Sequence, residues 1–199
     1  MTQRVDIKEI LERLAQGNRL PLEWTAPQTM ADDDDNPLIK LLRRLPILPA
    51  ERIFFARTDP ETTHVRVQLL TAASYCVDAA AVADFGGRGG PARDRGLVEQ
   101  VIAAAFQTFG DFDPHPTVFE KAAMLLRGIT QGHPFNDDNK RTGFLVAVYF
   151  LDLVGHALPS SIPADEAVDL CFRVSAGDIR DVEKIASEIE RLWTSFSHN

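Results

Sequence analysis

Apolar positions along this chain recur mostly at intervals of three and four residues, the spacing of one helix face. Asp6 and Glu9 have the spacing of an N-cap and its reciprocal partner. Ile7, Ile10, Leu11 and Leu14 then make one apolar face, and Gly17 ends the helix. A Pro-containing connector runs from Leu20 to Pro27, and Asn36-Pro37 opens a short helix through Leu45. Arg52 to Arg57 and Val65 to Leu70 are short apolar runs around Asp59-Pro60-Glu61, and they predict a small β-hairpin. From Thr71 the pattern turns helical. Tyr75–Phe85, Leu97–Phe109, Thr117–Thr130 and Asp138–Val154 are successive helices, the last being the most apolar and expected at the centre. Pro163-Ala164-Asp165-Glu166 starts a helix through Val174, which Ala176-Gly177 ends. Asp178–Phe196 is the final helix, with Ile179, Val182, Ile185, Ile189, Leu192 and Trp193 on one face. The expected fold class is mainly α, with residues 1–70 as an extension and 71–199 as the principal domain. No internal repeat breaks this order.

Composition narrows the function. The chain has 199 residues and a formal net charge of -8. The acidic balance argues against a duplex nucleic acid partner, which requires clustered positive charge. A single anionic ligand held by a few local donors stays compatible. Cys76 and Cys171 are too far apart for a CxxC motif or a Cys-rich zinc site and read as buried thiols of a reducing cytoplasm. No signal peptide is visible at the start, and no apolar run reaches membrane-spanning length. The run Asp32–Asp35 reads as a solvated loop tip, because four adjacent like charges repel and stay wet.

One segment carries chemistry: Gly132-His133-Pro134-Phe135-Asn136-Asp137-Asp138-Asn139-Lys140-Arg141-Thr142-Gly143. His133 lies in a Pro-containing loop, and imidazole is the side chain that ordinarily exchanges a proton near neutral pH. A polar cluster follows where a long apolar helix begins. The first amides of that helix have no intrahelical acceptor and favour an anion. Lys140 and Arg141 put positive charge at the end where it opposes the helix dipole, which makes sense beside an anionic ligand. Asp137 offers a hard oxygen suited to Mg2+ shared with phosphates. Base, anion nest, cations and metal ligand together read as transfer of a phosphate-containing group. The plainer alternative is that Asp137, Asp138 and Asn139 only cap the helix, with Phe135 an apolar plug in either case.

The run His133 to Arg141 resembles the active-site motif of the Fic superfamily, H-[PX]-F-x-[D/E]-[G/A]-N-[G/K]-R. The Asn139-Lys140-Arg141-Thr142 ending is similar to the Doc (death-on-curing) branch. AMP-transferring members end in Gly-Asn-Gly-Arg with a second Arg three residues on, where this chain has Phe144. Gly96-Leu97-Val98-Glu99, Thr108-Phe109-Gly110, Lys121-Ala122-Ala123 and the stretch from Phe150-Leu151 to Gly155 resemble Doc-type flanks in the same order. The resemblance spans about residues 70–195. It implies a Fic/Doc-like helical bundle around a motif-bearing helix.

It also implies roles. His133 is the expected general base toward a hydroxyl of a target protein, and Asp137 the Mg2+ ligand. Asn139 and neighbouring amides line an anion hole, and Arg141 contacts nucleotide phosphates. Lys140, in place of Gly, accompanies a nucleotide pose that presents the γ-phosphate. Gly86 to Arg95 falls where the family has a target-positioning flap. The implied activity is a cytoplasmic toxin that phosphorylates a translation-factor type of target with ATP and Mg2+, restrained by a separate antitoxin protein. No self-inhibiting [S/T]-x-x-x-E-[G/N] match is present in the chain. Asp138 stands where the pattern has Gly or Ala. It is expected to cap the helix, or to join the phosphate or metal site. Two alternatives use the same residues: nucleotidyl transfer, and nucleotide or partner binding without turnover because of Asp138. His64, His115, His156 and Ser160-Ser161 carry no comparable pattern.

Overall fold

The computed structural model describes residues 92–156, 159 and 163–194, together with helical positions at 63, 67, 70–71, 73–75, 77–79 and 81–82. The first two expected helices, the acidic run at 32–35, Cys76 and most of the glycine-rich stretch lie outside the described residues. Among the described residues there is no strand, and one isolated bridge joins Phe109 to Phe112 across Gly110. The hairpin expected over 52–70 is not seen where the structure speaks, because Thr63, Val67 and Leu70 are helical. The reason is packing: Val67, Leu70, Ser74, Val77, Asp78 and Ala81 are buried at helical spacing. A buried face at helical spacing outweighs the β preference of a short apolar run.

Five further helices follow: α1 (Arg95–Ala104), α2 (Val118–Gly132), α3 (Asn139–Leu153), α4 (Ala164–Ala176) and α5 (Val182–Thr194). α1 starts where the Asp94 carboxylate accepts from Leu97 N at 3.1 Å. α2 starts with a reciprocal cap. Thr117 Oγ1 accepts from Glu120 N at 3.1 Å, and Glu120 Oε2 accepts from Thr117 N at 2.9 Å. α4 closes at Gly177, whose φ of 79° lets Asp178 N reach Arg173 O at 2.9 Å. That closure uses Asp178, so α5 begins only at Val182, four residues later than its apolar pattern suggests.

α3 is the most enclosed helix. Of its 15 residues, all are buried except Lys140 and Arg141. α2 is the hub, lying against α1, α3, α4 and α5. The two helices approach closely at Gly143. A Cβ there would stand 2.8 Å from Thr130 Oγ1 and 3.0 Å from the Leu126 carbonyl of α2. The hydrophobic core thus grips both helices on either side of the motif loop, leaving two cations of α3 at the surface.

Candidate active site

The motif loop joins the end of α2 to the start of α3. His133 closes α2 in the left-handed region, with φ 49° and its N–H donating to Ile129 O at 3.2 Å. Its side chain is exposed. Pro134 is buried, and its carbonyl accepts from Asp94 N at 3.2 Å, which ties the start of α1 to the loop. Phe135 is 1% exposed and meets the Tyr75 ring edge-on at 5.8 Å. Burying such a ring stabilises by about 2–3 kcal/mol, so the plug expected from the sequence fixes the loop to the core.

Asn139 holds the loop from the other end. Its Oδ1 accepts from Phe135 N at 2.9 Å and its Nδ2 donates to Phe135 O at 3.0 Å. Only a primary amide supplies an acceptor and a donor side by side in this way. The structure therefore gives the buried Asn139 side chain the task of shaping the loop around the helix start.

Asp138 precedes α3 with φ 56° and makes no side-chain cap hydrogen bond. The expectation that it caps the helix is corrected. Its carboxylate pairs instead with Arg141, Oδ2 to Nη1 at 2.6 Å. The backbone explains both the usual Gly at this position and the tolerance for Asp, which adopts the left-handed region more readily than most residues. His133 and Asp138 are the two non-glycine residues with positive φ among the described residues, and they bracket the loop. Strain confined to one loop is the mark of a functional segment.

The first α3 backbone bond runs from Thr142 N to Asp138 O at 2.9 Å, and the first turn that precedes it carries the positive end of the helix dipole. Lys140 reaches across to α4, its Nζ 5.2 Å from the centre of the exposed Phe172 ring. Asp137 is exposed and its Oδ1 accepts from Asp138 N at 2.8 Å. The structure therefore brings His133, Asp137, Asp138, the α3 amides, Lys140 and Arg141 into one short stretch, at the only part of α3 that is not buried.

Three residues escaped the sequence reading. Tyr75 backs Phe135, and Asp94 hooks Pro134. Asp78 is 6% exposed and its Oδ1 accepts from the Thr142 hydroxyl at 3.3 Å. Burial first, and then the charges of Asp138 and Asp137, push the Asp78 carboxyl up to about 6 despite the Thr142 hydrogen bond. The signal for Asp78 was a lone carboxylate on an apolar helix face. No signal marked Asp94, because its contact crosses 40 residues of chain. Two other histidines lie among the described residues. His115 O accepts from Lys121 Nζ at 2.7 Å, and His156 packs edge-on against Phe119 at 5.2 Å. Burial pushes the Cys171 thiol up to about 12, which leaves it inert.

No group of three or more His, Cys, Asp or Glu among the described residues makes a metal cage. Mg2+ shared with phosphates needs only one or two carboxylates, the rest of its shell being phosphate oxygens and water. Asp137 and Asp138, adjacent and both felt by Asp78, are a donor set of that kind.

The described residues thus form a mainly helical domain that presents a histidine and a helix start from one clamped loop. The Fic/DOC family matches residues 70–151. The chain is 35% identical over 97 residues to Toxin Doc of Mycolicibacterium smegmatis, covering 49% of this chain and 74% of that protein. It is 32% identical over 114 residues to Protein kinase doc of Escherichia phage P1, covering 57% of this chain and 86% of that protein. The chain belongs to the Fic/DOC family.

Proposed function

We propose that this protein is a Doc-type toxin that transfers the γ-phosphate of ATP to a Ser or Thr hydroxyl of a target protein. The observation that carries the reading is the loop that sets His133 just before the start of α3, where Lys140 and Arg141 are the two α3 residues that are not buried. The relative named Protein kinase doc supports the kinase assignment, and the relative named Toxin Doc supports the toxin role. The resemblance of the motif points to a translation factor as target, to restraint by a separate antitoxin protein and to a cytoplasmic setting. Among the described residues no helix is long and apolar enough to cross a membrane.

In this mechanism His133 accepts the proton of the target hydroxyl. The hydroxyl oxygen forms a bond to the γ-phosphorus as the bond to the β-bridging oxygen breaks, and ADP leaves. The α3 amides and Arg141 hold the phosphate oxygens, and Lys140 adds a mobile point charge. Asn139 keeps the nest in shape through Phe135. Asp137, with Asp138, would hold Mg2+, which neutralises phosphate charge when bound.

The mass added to a modified target decides the chemistry. Phosphate adds about 80 Da and AMP about 329 Da. Incubation with ATP and cell lysate is expected to give the smaller shift on one protein. His133→Ala, and His133→Asn with its greater tolerance of the left-handed backbone, should abolish it. The larger shift would replace this reading by nucleotidyl transfer. Undiminished labelling by both variants would remove His133 as the base.

A further inference from the structure

We propose that Asp138 is an internal counter-anion that holds Arg141 in the unliganded protein, so that a nucleotide enters only together with a divalent cation. The proposal rests on the nucleotide-binding reading above and extends it to ligand selection. Its basis is the 2.6 Å pair between Asp138 Oδ2 and Arg141 Nη1, whose side chains are 15% and 35% exposed. The carboxylate is held at the start of α3 by a left-handed backbone, and it makes no cap hydrogen bond that would give it a different purpose. It stands where the helix start favours an anion and where the arginine expected to grip phosphate already has a partner.

Consider a metal-free polyphosphate approaching this site. Taking Arg141 would strip Asp138 of its partner and leave a largely buried carboxylate unpaired. The incoming charge would also face Asp137, and Asp78 behind it. Removing one member of a charge-assisted pair costs far more than the pair contributes. A cation arriving with the phosphate changes the balance. Asp138 and Asp137 receive a new positive partner while Arg141 receives the phosphate. One ion pair is exchanged for two, and no charge is stranded. With Gly or Ala at this position the exchange is unnecessary. Asp138 thus makes the metal a condition of binding in addition to any part it has in chemistry.

The test is titration calorimetry of the full chain with ATP in excess EDTA and with ATP in excess Mg2+. Wild type is compared with Asp138→Asn and Asp138→Gly, two residues that accept the positive φ. Wild type should bind metal-free ATP on the order of tenfold or more weakly than Mg·ATP. In both variants the preference for Mg·ATP over metal-free ATP should fall on the order of tenfold, because the carboxylate that competes with the bare phosphate and meets the cation is gone. Inorganic tripolyphosphate, which carries no base, should give the same pattern. Equal affinity of wild type for ATP with and without Mg2+ overturns the proposal whatever the variants do. Unchanged metal dependence in variants that still bind Mg·ATP overturns it while leaving the phosphate-transfer reading in place. Failure of wild type and both variants to bind Mg·ATP overturns both.

Discussion

Asp78 accepts a hydrogen bond from Thr142 at 3.3 Å in a place that water hardly reaches. Burial and the neighbouring Asp138 and Asp137 push its carboxyl up to about 6, against about 3.9 in an unfolded chain. The folded protein therefore holds this proton more tightly than the unfolded one between those values. Its contribution to stability is fully present below about pH 4 and is lost as pH rises through about 6. Asp78→Asn should remove that loss. Urea unfolding at pH 7.5 is expected to show the variant more stable by less than about 3 kcal/mol, with the difference shrinking toward pH 4. A variant less stable at pH 7.5 would mean that the charged carboxylate is a net support. The same scale explains the loop. His133 and Asp138 both sit at positive φ, and Asn139 closes the space between them with two bonds to Phe135. These side chains are spelled in the motif, but their division of labour is not. The sequence reading made Asp138 a cap, whereas its carboxylate meets Arg141 and the Asn139 amide meets Phe135, because each polar group takes the partner that its backbone position brings within reach.

At the scale of elements, the approach of α3 to α2 sets the distance between His133 and the start of α3. Gly143 is the contact. Alanine would gain about 1 kcal/mol in helix propensity, yet its Cβ would lie 3.0 Å from the Leu126 carbonyl and 2.8 Å from Thr130 Oγ1. The hydroxyl can turn, but the backbone oxygen cannot. Overpacking of this kind costs about 1–3 kcal/mol, so Gly143→Ala should lower stability by up to about 2 kcal/mol. Activity should fall further than stability, since a shift of α3 moves the nest relative to His133. Thermal unfolding read beside target labelling checks both. Helix ends were legible where a local signal exists: Pro163 before α4, Gly177 after it, and Thr117 with Glu120 before α2. The helical positions between 63 and 70 were not legible, because their buried face is defined by what packs on it.

At the scale of the molecule, α5 closes the bundle against α2 through Ile185, Ala186, Ile189, Leu192 and Trp193. Trp193 is 4% exposed. Trp193→Ala is expected to cost about 3–5 kcal/mol, a large share of a domain's total stability. Arg191, on the same helix, pairs with Glu166 at 2.8 Å and Glu188 at 3.3 Å in open solvent. Exposed pairs of this sort contribute little, so Arg191→Ala should leave the thermal midpoint nearly unchanged. Matched unfolding curves would separate the two roles. The net charge of -8 also takes its place at this scale. It opposes polyanions over the molecule as a whole, and at the start of α3 Lys140 and Arg141 are offset by Asp137 and Asp138.

The sequence by itself determined the helical class, the boundaries of α2, α3 and α4 to within two residues, the core faces and the nine-residue motif with its histidine, cations and carboxylates. These follow from short-range periodicity and from residue types whose chemistry does not depend on context. Tertiary structure decided which groups meet. It put Asp94 on Pro134, Tyr75 behind Phe135, Asp78 beneath Thr142 and Lys140 over Phe172. It also paired Asp138 with Arg141, three residues apart, because the left-handed turn before α3 and the first turn of the helix bring the carboxylate to the guanidinium. Such pairings depend on backbone direction and on burial between distant segments, which no spacing along the chain encodes.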